Sequence, residues 1–201
     1  MCWMTLIHDD GGNAAERAVD ALRGGECKSG GHSWGLAVPA ADGWGQGLRV
    51  QKGLGYIDGR RGERDAAEWA RQTDATVALG HTRFATQGEV TVENAHPFRV
   101  GDGDGGTRAV LAHNGTWYDA PDTNRADSYY IARLLESLYT AGHDLGTAVG
   151  MTGDITGETL LVLGADGDAW VHSGRFEITE TGAGVASSGG IPIPDGVLRG
   201  C

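Results

Sequence analysis

Runs of apolar residues divide the chain into short strands and amphipathic helices. Short apolar runs bounded by Gly, Pro or Asp predict buried strands, whereas apolar residues spaced three and four positions apart predict helices. The predicted strands are residues 2–8, 32–38, 47–52, 75–79, 107–112, 158–163, 169–173, 175–179 and 184–188. The predicted helices are residues 13–23, 64–72, 126–141 and 144–149. Strands and helices interleaved in this way favour a layered α+β sandwich.

Some element boundaries are marked by residues that favour them. Asn13 is a suitable N-cap for the first helix, and the pair Gly24 and Gly25 is expected to end it. The apolar residues of the third helix recur at helical spacing, and Gly142 is expected to stop it. The segment 101–106, rich in Gly and Asp, lacks the ligand spacing of a calcium loop and predicts a hairpin turn.

Length and charge narrow the class of protein. The 201 residues are enough for one domain with a sizeable core, so residues 1–201 are expected to form a single domain. The 27 acidic residues outnumber the 16 basic ones, giving a net charge of −11, and only Lys28 and Lys52 are lysines. We interpret this composition as that of a halophile's protein, with an acidic mesophilic protein as the alternative. A negative surface repels nucleic acid and anionic lipid, so neither nucleic acid nor a membrane is an expected partner.

Cysteine usage and the N-terminus bear on the compartment. Cys2, Cys27 and Cys201 are too few for a disulfide framework and are expected to stay reduced. The N-terminus has neither the basic nor the apolar segment of a secretory signal, and no run approaches the roughly 20 apolar residues of a membrane span. A cytoplasmic location is therefore expected.

Residues 80–98 have an order of residue types that no ordinary loop requires, Gly-His-Thr-Arg-Phe-Ala-Thr-Gln-Gly-Glu-Val-Thr-Val-Glu-Asn-Ala-His-Pro-Phe. The segment follows the apolar strand 75–79, so Arg83 is expected on a loop at the end of that strand. There its guanidinium can hold a carboxylate through two parallel hydrogen bonds. A surface ion pair is the alternative interpretation of Arg83 taken alone.

Three further stretches accompany this segment. Met1-Cys2 opens the chain, His113-Asn114-Gly115 follows an apolar strand, and Asp127-Ser128 lies in the first turn of the third helix. A carboxylate in that turn is favoured by the helix dipole, so a capping acid is the alternative interpretation of Asp127. The order and spacing of the four stretches, rather than any one of them, carry the functional interpretation.

Together the four stretches resemble the glutaminase domain of the class II glutamine amidotransferases, a family of N-terminal-nucleophile hydrolases. The resemblance covers about residues 1–190. It rests on the Gly-His-Thr-Arg-aromatic-Ala-Thr, Asn-Ala-His-Pro and His-Asn-Gly segments and on the Asp that opens the following helix. It implies a four-layer αββα sandwich, in which two antiparallel sheets lie between layers of helices.

The resemblance also implies a mechanism. Removal of Met1 would leave Cys2 with a thiol and a free α-amine, and this amine, with an ordinary pKa of about 7.7–8.0, can accept the thiol proton. The thiol would then attack the side-chain amide of glutamine, ammonia would leave, and water would hydrolyse the thioester to glutamate. The side-chain amide of Asn114 and the backbone N–H of Gly115 would stabilise the oxyanion of the tetrahedral intermediate.

Substrate contacts are implied in the same way. Arg83 would bind the carboxylate of glutamine and Asp127 its ammonium group, while Thr86 and the backbone near Gln87 would complete the carboxylate pocket. This chemistry needs no cofactor and no metal. Because no acceptor-binding domain follows residue 201, a stand-alone glutaminase that passes ammonia to a separate acceptor subunit or a larger assembly is expected.

Four residues depart from the family pattern. Trp3 and Met4 stand where Gly and an aliphatic residue are usual, Phe84 replaces Trp, and Gln87 replaces His. Trp3, next to the nucleophile, could narrow the pocket, so another γ-glutamyl amide is an alternative substrate. From a different class, the alternative is a catalytically silent structural or binding protein that kept the fold.

Other chemistries fit the sequence less well. His81, His96 and His113 match no compact zinc-ligand spacing, so a structural role is favoured for them. A Cys–His protease is compatible with the composition, but a thiol at position 2 already has a base attached. Cys27 and Cys201 have no such context and are expected to be ordinary thiols.

Overall fold

The computed structural model describes residues 2–26, 30–40, 47–57, 62–121, 124–176, 178–181 and 184–187. The strands in these ranges are β1 (Trp3–His8), β2 (Ser33–Pro39), β3 (Leu48–Leu54), β4 (Val77–Arg83), β5 (Phe98–Gly101), β6 (Thr107–Asn114), β7 (Thr159–Gly164), β8 (Ala169–His172), β9 (Thr179–Thr181) and β10 (Gly184–Ser187). The helices are α1 (Ala14–Glu26), α2 (Gly62–Ala70), α3 (Asp127–Thr140) and α4 (Leu145–Thr156).

The strands form two antiparallel sheets. The first has six strands in the order β3-β2-β4-β1-β10-β9, and the second has four in the order β5-β6-β7-β8. β1 therefore lies inside the first sheet, with Trp3 opposite Thr82 of β4 and Met4 opposite Ser187 of β10. β6 lies inside the second sheet, between β5 and β7. Cys2 directly precedes β1 and Asn114 ends β6, so an interior strand of each sheet carries a predicted site residue at one end.

Helices cover the outer face of each sheet, which confirms the four-layer αββα sandwich. α1 and α2 pack on the first sheet around a core that includes Leu22, Trp34 and Ile57. α3 and α4 pack on the second sheet around Ile131 and Leu135. The apolar layer between the two sheets consists of Met4, Leu6, Ala37, Leu48, Leu79, Val110, Ala112, Leu161 and Leu163. Because successive side chains of a strand point to opposite faces, this layer shows which face of each strand looks into the sandwich.

Helix α1 is longer than the sequence predicts. It continues through Gly24 and Gly25 to Glu26, so the expected stop at these glycines is wrong. Gly25 lies directly against the indole of Trp3, and a Cβ at this position would be 2.2 Å from the ring. The glycine permits close packing of the helix on the sheet and does not end the helix.

Two strands extend beyond their predicted apolar runs, and both end at predicted site residues. β4 was expected at residues 75–79 but continues to Arg83, which is therefore the last residue of a strand and not part of a loop. β6 likewise continues to Asn114. The extension of β4 contains His81, a polar residue that is fully buried in the sandwich. Apolar character alone could not locate these strand ends.

Boundaries in the C-terminal part also differ from the prediction. α4 continues beyond the predicted range 144–149 and is followed by Gly157 in the left-handed conformation, with φ of 69°. The predicted strand 175–179 is wrong for its first residues, since β9 begins only at Thr179. β5, a short strand directly after the Asn-Ala-His-Pro segment, was not predicted.

The turn between β5 and β6 is the predicted hairpin. The carboxylate oxygen Oδ1 of Asp102 accepts hydrogen bonds from the N–H groups of Asp104 and Gly106, at 2.9 and 2.8 Å. In the described part of the chain, no helix has the length and apolar content needed to cross a membrane. Predictions about Cys27 and Cys201 concern positions outside the described residues.

Candidate active site

Side-chain alternation in the first sheet brings two predicted residues to one end of the sandwich. Met4 of β1 faces the layer between the sheets, so Cys2, two positions earlier, continues that face. In β4 the same alternation leads from Leu79, which also faces this layer, to Arg83. Since β1 and β4 are antiparallel, the start of one lies beside the end of the other.

The second sheet adds the Asn114 strand to the same end. Ala112 of β6 faces the layer between the sheets, and alternation places Asn114 on that face too. The two sheets meet here through His81 of β4, whose Nε2 lies 3.3 Å from the carbonyl oxygen of His113. The ends of β1, β4 and β6 therefore surround one cleft.

The thiol of Cys2 is held by the backbone of Phe84, the residue after β4. The Phe84 N–H donates a hydrogen bond to Sγ at 3.3 Å, and the thiol donates to the Phe84 carbonyl oxygen at 3.5 Å. Burial raises the pKa of the Cys2 thiol, the Phe84 N–H and the charge of Arg83 lower it, and the carboxylate of Asp127 raises it. The net effect keeps the thiol protonated at neutral pH, so it needs a base to act as a nucleophile.

Arg83 is 3% exposed, so the surface ion pair does not describe it. Its Nη1 donates to the carbonyl oxygen of Glu89 at 3.2 Å, and its Nη2 donates to those of Gln87 and Gly88. Burial lowers the pKa of Arg83, and the Cys2 thiol and the Asp127 carboxylate oppose this. The guanidinium thus shapes the loop of residues 87–89 and places a positive charge close to the thiol.

Asp127, the first residue of α3, is also buried, with 5% of its surface exposed. Its Oδ2 accepts a hydrogen bond from the Trp117 N–H at 2.8 Å, and its Oδ1 accepts one from the Ser128 N–H at 2.9 Å. The N-cap position belongs to Ala126, which makes no side-chain capping bond. The carboxylate therefore joins the start of α3 to the segment after Gly115, in addition to lying at a helix N-terminus.

Asn114 and Gly115 form a tightly enclosed turn at the end of β6. Asn114 is fully buried, and its side chain influences the pKa of His81. Gly115 has φ of +140°, in the region that favours glycine. A Cβ at Gly115 would be 1.6 Å from Oε2 of Glu158, so only glycine fits at this position.

Glu158 is a fully buried carboxylate beneath Gly115. Its Oε2 lies 3.6 Å from Nε2 of His113, and its Oε1 lies 3.5 Å from Nη2 of Arg175, a half-exposed residue. Burying a carboxylate is costly unless such polar partners face it. Glu158 therefore packs the turn of Asn114 and Gly115 from below and ties it to the rest of the second sheet.

A buried hydrogen-bonded cluster of histidines supports the cleft. His96 Nε2 and His113 Nδ1 both contact the hydroxyl of Ser128, at 2.8 and 2.9 Å. Burial lowers the pKa of His81 to about 3 and holds that of His96 well below its usual value, so both rings are neutral. Among the described residues, no group of three or more His, Cys, Asp or Glu side chains is arranged to hold a metal ion. The three rings serve as hydrogen-bonding core residues.

The loops that follow β4 and β6 meet above the cleft. The hydroxyl of Thr86 lies 3.1 Å from that of Thr116. Gln87 contributes its backbone carbonyl, which accepts from Arg83. The structure thus brings Thr86 and Gln87 to the same cleft as the other predicted residues.

The structure corrects one expectation and adds three residues. Trp3 is 2% exposed and packs against Gly25 on the helix side of the first sheet, so it does not narrow the cleft. His32, Ser128 and Glu158 contact the predicted residues but were not identified. Ser128 could have been found from its place beside Asp127, whereas Glu158 carries no sequence signal beyond following a glycine.

The comparisons with known proteins agree with one another. Residues 28–130 match the family model described as glutamine amidotransferases class-II. Glutamine–fructose-6-phosphate aminotransferase (isomerizing) of Halobacterium salinarum is 35% identical over 106 residues, covering 47% of this chain and 17% of the relative. The protein of the same name from Thermus thermophilus is 32% identical over 141 residues, or 63% of this chain and 21% of the relative. Amidophosphoribosyltransferase of Mus musculus is 32% identical over 114 residues, or 57% and 18%. The chain spans about a fifth of the length of these relatives.

Proposed function

The chain belongs to the class II glutamine amidotransferases, and from that premise we propose that it hydrolyses the side-chain amide of glutamine with Cys2 as the nucleophile. The observation that carries the proposal is the position of the Cys2 thiol. It lies between the N–H and the carbonyl of Phe84, at the end of β4 where Arg83 is buried. A thiol fixed at that place suits attack on an amide bound in the cleft.

The base in this proposal is the α-amine of Cys2, freed by removal of Met1. The thiol needs a base because burial raises its pKa, and an amine with an ordinary pKa of about 7.7–8.0 can accept the proton at neutral pH. The sulfur attacks the amide carbon, and the protonated amine passes its proton to the leaving nitrogen, which departs as ammonia. Water, deprotonated by the same amine, then cleaves the thioester to glutamate and restores the thiol.

The oxyanion is stabilised by the side-chain amide of Asn114 and the backbone N–H of Gly115. Both groups lie in a turn whose geometry is fixed by burial, by the pairing of Asn114 with Thr159 of β7 and by the packing of Gly115 on Glu158. Fixed donors are effective because they need no reorganisation when the negative charge develops. The loss of one such donor typically costs about 3–4 kcal/mol in the transition state.

The α-carboxylate and α-ammonium of glutamine are bound by Arg83 and Asp127. Two buried groups of opposite charge, both close enough to influence the Cys2 thiol, suit a zwitterion with two opposite charges on one carbon. Thr86 and the backbone at Gln87 complete the carboxylate side. Such a site selects glutamine over amides that lack the α-amino acid group.

The ammonia is passed to an acceptor held by a partner subunit or a larger assembly. The relatives are named for amino transfer between glutamine and fructose-6-phosphate, or as an amidophosphoribosyltransferase, and most of their length lies outside the matched part. Around the loops of the cleft, Phe84, Val90, Val92 and Tyr118 are between 42% and 79% exposed. Native purification tests this: a complex with a higher kcat for glutamine would support it, and recovery of the chain alone, with unchanged kcat, would contradict it.

We also propose that the protein works in the cytoplasm of a salt-rich cell. Its net charge of −11, its two lysines and its similarity to a protein of Halobacterium salinarum support this. Acidic surfaces repel each other and stay soluble where salt screens charge strongly.

The catalytic proposal is tested with protein lacking Met1, verified by intact mass, incubated with glutamine in high salt. Glutamate release by the parent and its loss in Cys2→Ala are expected, with Cys27→Ala as a matched control that keeps the parent rate. Equal turnover by Cys2→Ala would overturn the proposal. Absence of turnover in the fully processed parent, with and without its native partners, would favour the silent structural alternative.

A further inference from the structure

His32 contacts the segment that holds the Cys2 thiol at three successive residues. Its backbone N–H donates to the carbonyl oxygen of Arg83 at 3.0 Å, and its ring stacks on that of Phe84 with 4.6 Å between centroids. The Ala85 N–H donates to Nδ1 of His32 at 2.9 Å. One residue, placed directly before β2, therefore fixes residues 83–85 through backbone, ring and side-chain nitrogen.

Residues 84 and 85 need other contacts to fix their backbone because the pairing of β2 with β4 ends before them. The last residue pair between β2 and β4 joins Ser33 to Arg83, so Phe84 and Ala85 lie beyond the strand ladder. Phe84 is also 43% exposed, which leaves its ring without a closed core around it. Without the acceptor at His32, the Ala85 N–H would lose the partner that holds the backbone in this conformation.

The position of the same backbone decides the surroundings of the thiol. The Phe84 N–H and carbonyl both contact Sγ of Cys2. A rotation of the peptide after Phe84 would turn the carbonyl away from the sulfur and change the direction of the N–H before it. The contacts of His32 on both sides of Phe84 oppose that rotation.

We propose that His32 is a positioning residue of the glutaminase, which holds Phe84 so that its N–H stays directed at the Cys2 thiol. The role requires the tautomer with the proton on Nε2, since Nδ1 accepts from Ala85. The expected effect of His32 on glutamine turnover rests on the proposed function. The expected effect of His32 on the Cys2 thiol does not depend on glutamine.

Two substitutions separate the acceptor from the ring. His32→Asn places a side-chain oxygen near the position of Nδ1 and removes the stack, whereas His32→Phe keeps the stack and removes the acceptor. If the acceptor positions Phe84, His32→Phe is impaired and His32→Asn is close to the parent. A residue that only fills space would show the reverse order.

The first measurement is the titration of the Cys2 thiolate, followed by its absorbance at about 240 nm in a Cys27→Ser, Cys201→Ser background. His32→Phe is expected to raise the midpoint because the Phe84 N–H no longer stabilises the thiolate, and His32→Asn to leave it near the parent value. The second measurement is kcat and KM for glutamine. His32→Phe is expected to lower kcat about tenfold, the effect of one misdirected hydrogen bond, with little change in KM.

His8→Phe, an exposed position at the other end of β1, is the matched control and is expected to behave as the parent. His32→Leu repeats the acceptor-free test if His32→Phe does not fold. The proposal is overturned if an acceptor-free variant titrates as the parent does, or if His32→Asn is displaced as far as His32→Phe. A shifted thiol titration in protein that never hydrolyses glutamine would uphold the positioning role and reject the glutaminase.

Discussion

The imidazole ring of His81 stacks on that of His96, with 3.8 Å between the ring centroids and both side chains buried. Two stacked imidazoles without solvent cannot readily accept protons. Burial lowers the pKa of His81 to about 3 and that of His96 in the same direction, and the positive charges of neighbouring groups add to the effect. These two histidines therefore make the free energy of unfolding depend on pH.

The first prediction is a loss of stability in mild acid. In the unfolded chain each histidine binds a proton below about pH 6.5, whereas folded His81 does so only near pH 3, so the unfolded state binds more protons between these values. The free energy of unfolding should fall as pH drops below about 6.5, by about 1.4 kcal/mol per pH unit for each such histidine.

Urea unfolding at pH 7, 6 and 5 measures this slope. His96→Gln should reduce the slope by about one proton, while His143→Gln, at an exposed position after α3, should leave it unchanged. A slope that is the same in parent and His96→Gln would show that this ring is not the neutral group described.

The second prediction concerns the turn of Asn114 and Gly115, the proposed oxyanion donors. Gly115→Ala would bring a Cβ to 1.6 Å from Oε2 of Glu158 at a φ of +140°, so both packing and backbone are strained. We expect a loss of about 3 kcal/mol in unfolding free energy and no measurable glutamine hydrolysis. Gly105→Ala is the matched control, since its φ is +93° but nothing lies within 4 Å of the added Cβ. It should cost about 1 kcal/mol and keep its activity, so equal losses in the two variants would contradict the steric argument.

The third prediction separates substrate binding from folding. Asp127→Asn keeps an oxygen to accept from Trp117 but removes the negative charge proposed to bind the ammonium of glutamine. KM for glutamine should rise about thirtyfold or more, corresponding to about 2 kcal/mol. The lost acceptor for the Ser128 N–H should lower the unfolding free energy by about 1–2 kcal/mol, which leaves the protein folded. Asp154→Asn, whose side chain is 81% exposed, serves as the control. An unchanged KM in Asp127→Asn would remove this residue from the glutamine site.

The fourth prediction is that salt stabilises the fold. With a net charge of −11, screening should reduce self-repulsion, since the Debye length falls from about 10 Å at 0.1 M to about 3 Å at 1 M salt. The unfolding free energy should rise with potassium chloride over this range. Asp10→Asn combined with Asp154→Asn removes two exposed negative charges and should weaken the dependence. Salt-independent unfolding would favour the acidic mesophilic interpretation.

Most elements could be predicted because apolar periodicity follows burial, whereas the order of the four layers came from the family resemblance and not from the pattern. Apolar periodicity failed to predict strand ends where the buried residues are polar. β4 continues through His81 to Arg83 because hydrogen bonds, and not apolar contacts, stabilise its end. Gly25 shows a second cause of failure. From the sequence alone, a glycine near the end of a helix predicts that the helix stops there. The actual reason for Gly25 is the indole of Trp3, which packs on it from β1 and leaves no room for a side chain.

The site itself was predictable only as a set of separate stretches. Their convergence follows from strand register, which places Cys2, Arg83 and Asn114 at one end of the sandwich, and register depends on pairings distant in sequence. His32 and Glu158 were beyond prediction for the same reason, since each acts through a neighbour that the sequence places far away.

The interior position of β1 has a consequence for the order of events during synthesis. At about 5–20 residues per second, synthesis from Met1 to the end of β4 takes about 4–17 seconds, and β10 follows about 5–21 seconds later. Until then the N-terminus is unpaired and open to a peptidase that removes methionine. After β1 is paired on both sides, Cys2 lies in the cleft and that access is lost. Removal of Met1 is therefore expected to compete with folding, so rapid overproduction in a cell with limiting peptidase should yield folded chains that keep Met1 and lack the free amine proposed as the base.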